Sequence, residues 1–188
     1  MGTTAKDISS RKWLPRRLAR RFARSDRGVT IIEFAIVGPL FFAFIGATLE
    51  TALAFFASYT LDSAVIGSSR LIRTGQESYI SEADGANYRE ALCGQTYGIF
   101  DCAQLRISVQ GFDDVDDLPD IFPIPIDPDT GDWTMDNSYD NAEPLQIMMI
   151  EAYYKWPTFF NIPGLNAGQT ADGKRLLAAT HVIRTEPF

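Results

Sequence analysis

The sequence predicts an α+β protein: a long N-terminal helix, transmembrane at first and a stalk beyond, packed on a small antiparallel sheet of about three strands. Three observations carry this. An uncharged run, "FAIVGPLFFAFIGATL", fills the interval between Glu33 and Glu50. A helical period then continues to about Thr74. Finally, "LRISVQGF", "LQIMMIEAYYKWPTFF" and "RLLAATHVIRTEPF" have the composition of strands, the first with clear alternation.

The chain of 188 residues has room for one modest domain besides a membrane element. Residues 1–28 carry nine Lys or Arg against Asp7 and Asp26, a net +7, and the remainder is −14. Opposite charge on the two sides of an apolar segment reads as topology, with the basic end cytoplasmic and the acidic body exported. A nucleic-acid partner is not expected, because phosphates would repel so acidic a body.

The apolar segment runs from about Val29 to Ser58, enough helix to cross a hydrocarbon core of about 30 Å. Gly38-Pro39 would break an ordinary helix, but such breaks are tolerated in membranes. A cleaved secretory signal competes, since "ALA" at Ala52 to Ala54 resembles a cleavage site. The length of the segment, together with Glu33, Pro39 and Glu50, counts against it. A carboxylate toward the middle of hydrocarbon costs roughly 2.5 to 3.5 kcal/mol, so Glu33 either reaches the headgroups from the membrane edge or is recognised.

Residues 59–75 continue the same helix as a stalk. Leu53, Ala57, Leu61, Ala64, Ser68 and Leu71 recur at spacings of three and four, a narrow stripe expected to pack on the exported domain or another helix. Gly75 is the expected C-cap. The exported domain, 76–188, opens with a polar stretch in which "SEADGANYREAL" suits a short helix. Its acidic segment 113–144 holds five prolines and reads as a long connection, extended or touching a partner. Three strands make an independent sheet if a helix covers one face, and the long helix is the cover.

Cys93 and Cys102 are the only cysteines, and an exported pair favours a structural disulfide over redox chemistry, which wants C-x-x-C. "DPDTGDW" offers Asp127, Asp129 and Asp132 around a turn, yet lacks the closing Glu of a calcium loop and reads as solvated. With His181 as the single histidine, there are no parts for a metal triad or a His-based relay. No phosphate-binding, dinucleotide or nucleophile-elbow motif is present. No enzyme activity, metal or cofactor is expected.

The stretch at Arg27, "RGVTIIEFAIVGPLFF", joins these readings. A basic leader ends in Gly28, an apolar helix begins at Val29, Glu33 is its fifth residue and Phe34 follows. The spacing Gly28-x-x-x-x-Glu33-Phe34 resembles the type IV prepilin signature. More narrowly, "DRGVTIIEFAIVGPLFFAFIGATLETALAF", the leader "RRFARSDRG", Glu50, "SSRLIRTGQ", the spaced cysteines and "VIRTEPF" resemble TadE-like minor pseudopilins of the tight-adherence (Tad/Flp, type IVb) pilus. Phe34 stands where Tyr often follows the Glu in major pilins.

The resemblance implies pilus assembly supporting adhesion. A TadV-type prepilin peptidase would cut after Gly28, with Gly28, Val29, Glu33 and Phe34 as its recognition residues. TadF-type and Flp-type subunits, the Tad inner-membrane assembly platform and membrane lipid are the implied partners. The implied location is the bacterial inner membrane, single-pass, with the C-terminal domain periplasmic and pilus-associated after processing. After cleavage the Val29 amine, with a reference pKa of about 7.7 to 8.0, would be paired by Glu33 of a neighbouring subunit. The competing reading is an uncleaved single-pass protein whose periplasmic domain is a binding or scaffold module.

Overall fold

A computed structural model describes residues 29–76, 79, 85–119, 123–159 and 170–188. The chain divides into two units, Met1–Thr48 and Leu49–Phe188. Helix α1 (Val29–Arg73) runs without interruption through Pro39. Its first part is apolar and exposed, with Ile31, Phe34, Phe42 and Phe44 all uncovered. The Thr48 hydroxyl is satisfied within the helix, donating to the Phe44 carbonyl at 2.8 Å. Among the described residues this is the one helix long and apolar enough to cross a membrane.

From Leu49 onward the helix is a core element. Ala54, Ala57, Leu61, Ala64, Val65, Ser68 and Ile72 are buried. The expected stripe keeps its centre, but its ends move from Leu53 and Leu71 to Ala54 and Ile72. Helical period explains the shift. At 100° per residue, positions 54 and 72 lie within about 20° of Leu61 around the axis, and positions 53 and 71 about 80° away. Ser69, beside the stripe, is also buried, its hydroxyl donating to the Ile66 carbonyl at 2.7 Å.

The helix ends in a Schellman motif. Gln76 N–H donates to the Leu71 carbonyl and Gly75 N–H to the Ile72 carbonyl, with Gly75 left-handed at φ 65. The C-terminal tail seals this end: Glu186 N–H donates to the Arg73 carbonyl at 2.9 Å, and the Arg73 guanidinium meets the Glu186 carboxylate at 3.1 Å. Helix α2 (Ala86–Gly94) follows, entered through Gly85 at φ 66, where any Cβ would strike the Tyr139 ring.

The sheet has four strands in the order β2-β1-β3-β4. Strands β1 (Arg106–Phe112), β3 (Ile147–Trp156) and β4 (Arg175–Arg184) form the expected antiparallel set. The correction is β2 (Ser138–Tyr139), which pairs in parallel with β1 and makes the sheet mixed. Two residues cannot show a period, so nothing marked β2 in advance. Side chains hold it instead: the Asn137 amide oxygen accepts from Ile107 N–H at 2.9 Å, and Ser108 and Ser138 hydroxyls share a hydrogen bond at 3.0 Å.

Register places Ile107 opposite Ala152 and Val109 opposite Ile150, with Ala179 on the other side of Ala152. These residues, with Met148, Tyr154 and Leu177, form the face on which α1 and α2 pack. Phe100 stacks edge-on against Tyr154 and Trp156 on this side. Tyr88 from α2 hydrogen-bonds Ser68 of α1 at 2.9 Å inside this core. Burial pushes the Tyr88 hydroxyl up to about 12, partly countered by the Ser68 bond.

The alternate residues Ile147, Met149, Glu151 and Tyr153 are buried as well, so the second face is also covered. Part of the cover is the acidic segment. Trp133 is bridged to Ile126 and lies under two outer-face cations, Lys155 at 4.8 Å and Arg106 at 6.0 Å from its ring centre. Lys155 also donates to the Gly131 carbonyl. The segment expected to be a long connection, extended or touching a partner, contributes a short 3-10 turn (Val115–Asp117), a bridge and an edge strand. Within this face the Tyr153 hydroxyl donates to the Glu151 carboxylate at 2.8 Å, and burial together with that carboxylate raises the Tyr153 pKa.

Candidate functional site

Gly28 lies outside the described residues, and Val29 is the first residue of α1. Glu33 follows one helical turn later on an exposed, otherwise apolar surface. Among the described residues it forms no ion pair. Phe34 is exposed on one side, and its ring lies against Gly38, the next residue on its stripe. A side chain at Gly38 would meet that ring at 3.5 Å, ordinary contact, so the glycine is not required there for space. The arrangement is a polar marker near the start of a helix with apolar neighbours.

The second acid of the segment, Glu50, has a different place. Its Oε1 accepts a hydrogen bond at 3.1 Å from the main-chain N–H of Phe159, just beyond the end of β3. Sequence reading placed Glu50 on the helix but missed this partner, because 109 residues separate the two and neither belongs to a pattern.

Cys93, near the end of α2, and Cys102 are joined in a disulfide with a Cα separation of 6.0 Å. The intervening loop turns through Tyr97 and Gly98, both at positive φ. His181 is a half-buried residue of β4 opposite Ile150.

The Asp127 carboxylate of "DPDTGDW" accepts from the main-chain N–H of Asp129 at 2.8 Å and Thr130 at 3.0 Å. The Thr130 and Asp129 N–H bonds hold its pKa below the usual carboxylate range. Its lone pairs serve the turn. Among the described residues no group of three His, Cys, Asp or Glu side chains is placed to hold a metal ion.

Residues 28–70 match the family model described as TadE-like protein, so the matched segment begins at Gly28 and ends inside α1. No curated protein and no solved structure matches the chain.

Proposed function

On the premise that the chain is TadE-like over residues 28–70, we propose that it is a minor pseudopilin of Flp/Tad type IVb pilus assembly, cut after Gly28 by a TadV-type prepilin peptidase. The observation that carries this is the position of the match: it starts on the proposed cleavage residue and takes in Glu33 on the exposed apolar part of α1. The helix then remains as a single span in the inner membrane, basic end cytoplasmic and acidic domain periplasmic. Glycine at the cut lets a peptidase approach the backbone closely.

The role is structural. Cleavage exposes the Val29 amine, and Glu33 of one subunit neutralises that amine on its neighbour. In low dielectric a half-made pair is costly, so it selects axial register among subunits such as the TadF-type and Flp-type proteins and the assembly platform.

Three variants separate recognition from assembly, read by leader cleavage on gels and by surface adhesion of cells. Gly28→Leu blocks cleavage. Glu33→Ala leaves the membrane helix at least as stable but lowers adhesion. Glu33→Gln keeps size and hydrogen bonding without charge, so it behaves like Glu33→Ala. Full adhesion with both Glu33 variants would refute the counter-charge role.

A further inference from the structure

Beyond the anchor helix, the exported unit carries exposed aromatic surface that its own core does not use. Phe55, Phe56 and Tyr59 are exposed on α1, and Phe159, beyond β3, is 72% exposed. Two contacts set Phe159 and Arg175 at the level of the helix residues 50–55. Glu50 holds the Phe159 N–H at 3.1 Å, and the Arg175 guanidinium, from the first residue of β4, lies over the Phe55 ring at 5.4 Å. The base of this connection is fixed: Trp156 pairs with Arg175 as the last rung of the ladder, and the Thr158 hydroxyl donates to the Gly173 carbonyl at 2.6 Å.

Helical rise says where that level falls. Counted from Val29, the twenty residues to Thr48 rise about 30 Å, the thickness of a hydrocarbon core. Residues 50–55 occupy the next 8 Å or so, comparable to one headgroup layer. Aromatic rings and an arginine are the side chains that favour this layer. The charge at this end is mixed: Arg175 lies over Phe55, Lys174 pairs with Asp172 at 3.6 Å, and Glu50 holds the Phe159 N–H.

We propose that this end of the exported domain is a second lipid-contact surface, in which Phe159, positioned by Glu50, enters the headgroup layer beside Phe55, Phe56 and Arg175. The inference rests on the membrane-span reading given above. It assigns Glu50 a task distinct from that of Glu33: tying the domain to the bilayer surface so that α1 and the sheet meet the membrane in one orientation.

The test uses the full chain, with its native cysteine pair oxidised, in vesicles of phosphatidylcholine and phosphatidylglycerol. A nitroxide is placed in turn at Phe159→Cys, Phe42→Cys and Tyr97→Cys, and its relaxation by oxygen (lipid-soluble) and by a neutral nickel chelate (water-soluble) is compared. Phe42, 62% exposed, reports the span, and Tyr97, 88% exposed, reports a site that the proposal leaves in water. The label at 159 is expected to show an oxygen-to-nickel ratio several-fold above that at 97. Glu50→Gln retains the acceptor and keeps the ratio, whereas Glu50→Ala lowers it toward the value at 97.

A label at 159 as nickel-accessible as that at 97, with 42 still in lipid, overturns the inference and leaves the anchor intact. Protection from both reagents marks a protein contact, a second copy or another subunit, and also overturns it. Nickel access at 42 defeats the span reading and the inference together. An unchanged ratio in Glu50→Ala removes Glu50 as the positioning residue.

Discussion

Leu61→Ala tests whether α1 beyond Leu49 belongs to the core of the unit Leu49–Phe188. Leu61 is fully buried within the cluster that includes Val65, Leu92 and Ile150. The substitution deletes three carbons, about 2.4 kcal/mol of transfer free energy at about 0.8 kcal/mol each. A cavity adds to this because a helix packed on a four-stranded sheet cannot collapse into the gap, and fully buried Leu→Ala changes cost about 3 to 5 kcal/mol in total. At roughly 3 °C per kcal/mol for a unit of this size, the melting temperature falls by about 10 °C. The assay is thermal unfolding in detergent, followed by near-UV circular dichroism of the aromatic core. Phe42→Ala is the control: Phe42 is exposed and makes no contribution to that core, so unfolding of the C-terminal unit stays unchanged. A Leu61→Ala loss below about 0.5 kcal/mol, the level of an ordinary surface change, would refute the core role of this half of the helix.

Other perturbations address other joints. Gly85→Ala forces a side chain into φ 66 and against the Tyr139 ring, so it destabilises the unit by more than about 1 kcal/mol in chemical denaturation. Cys93→Ser opens the short disulfide loop and costs about 2 to 3 kcal/mol without changing leader cleavage; full alkylation of both cysteines in unreduced, denatured protein would contradict the link. Asp172, despite partial burial that works against it, has its pKa held below the usual aspartate value by Thr170, Lys155 and Lys174. That contribution is present above the unfolded value of about 3.9 and is lost as pH falls through the lower folded value. Asp172→Asn therefore lowers the denaturation midpoint at about pH 7 and narrows its further drop between about pH 5 and 2, compared with the unsubstituted chain.

Legibility in the sequence followed the reach of each signal. The long helix declared itself because both halves carry a local mark, bulk hydropathy before Leu49 and a 3.6-residue period after it. Strands β1, β3 and β4 appeared because each extends over seven or more residues, which is enough for composition and alternation to register. β2 was hidden because its two residues are held by Asn137, Ser108 and Asp140 across about thirty positions. The acidic segment looked like a connection because its prolines and aspartates mask scattered apolar residues such as Ile126, Ala142 and Trp133, the last with partners Arg106 and Lys155 on distant strands. At the candidate site, Gly28, Val29, Glu33 and Phe34 are proposed from local spacing in the sequence, because a linear recognition segment is marked by its own residues and not by the fold. Glu50 was legible only as a residue out of place, and its bond to Phe159 needed the fold.

The central claim is cleavage after Gly28, and the most direct measurement is the intact mass and N-terminal sequence of the protein purified from envelopes of cells with and without the prepilin peptidase. Cleavage after Gly28 gives a chain beginning at Val29 when the peptidase is present, and an uncut leader when it is absent. An intact leader in both backgrounds, or a start near Phe55 as left by an ordinary secretory signal, would contradict it.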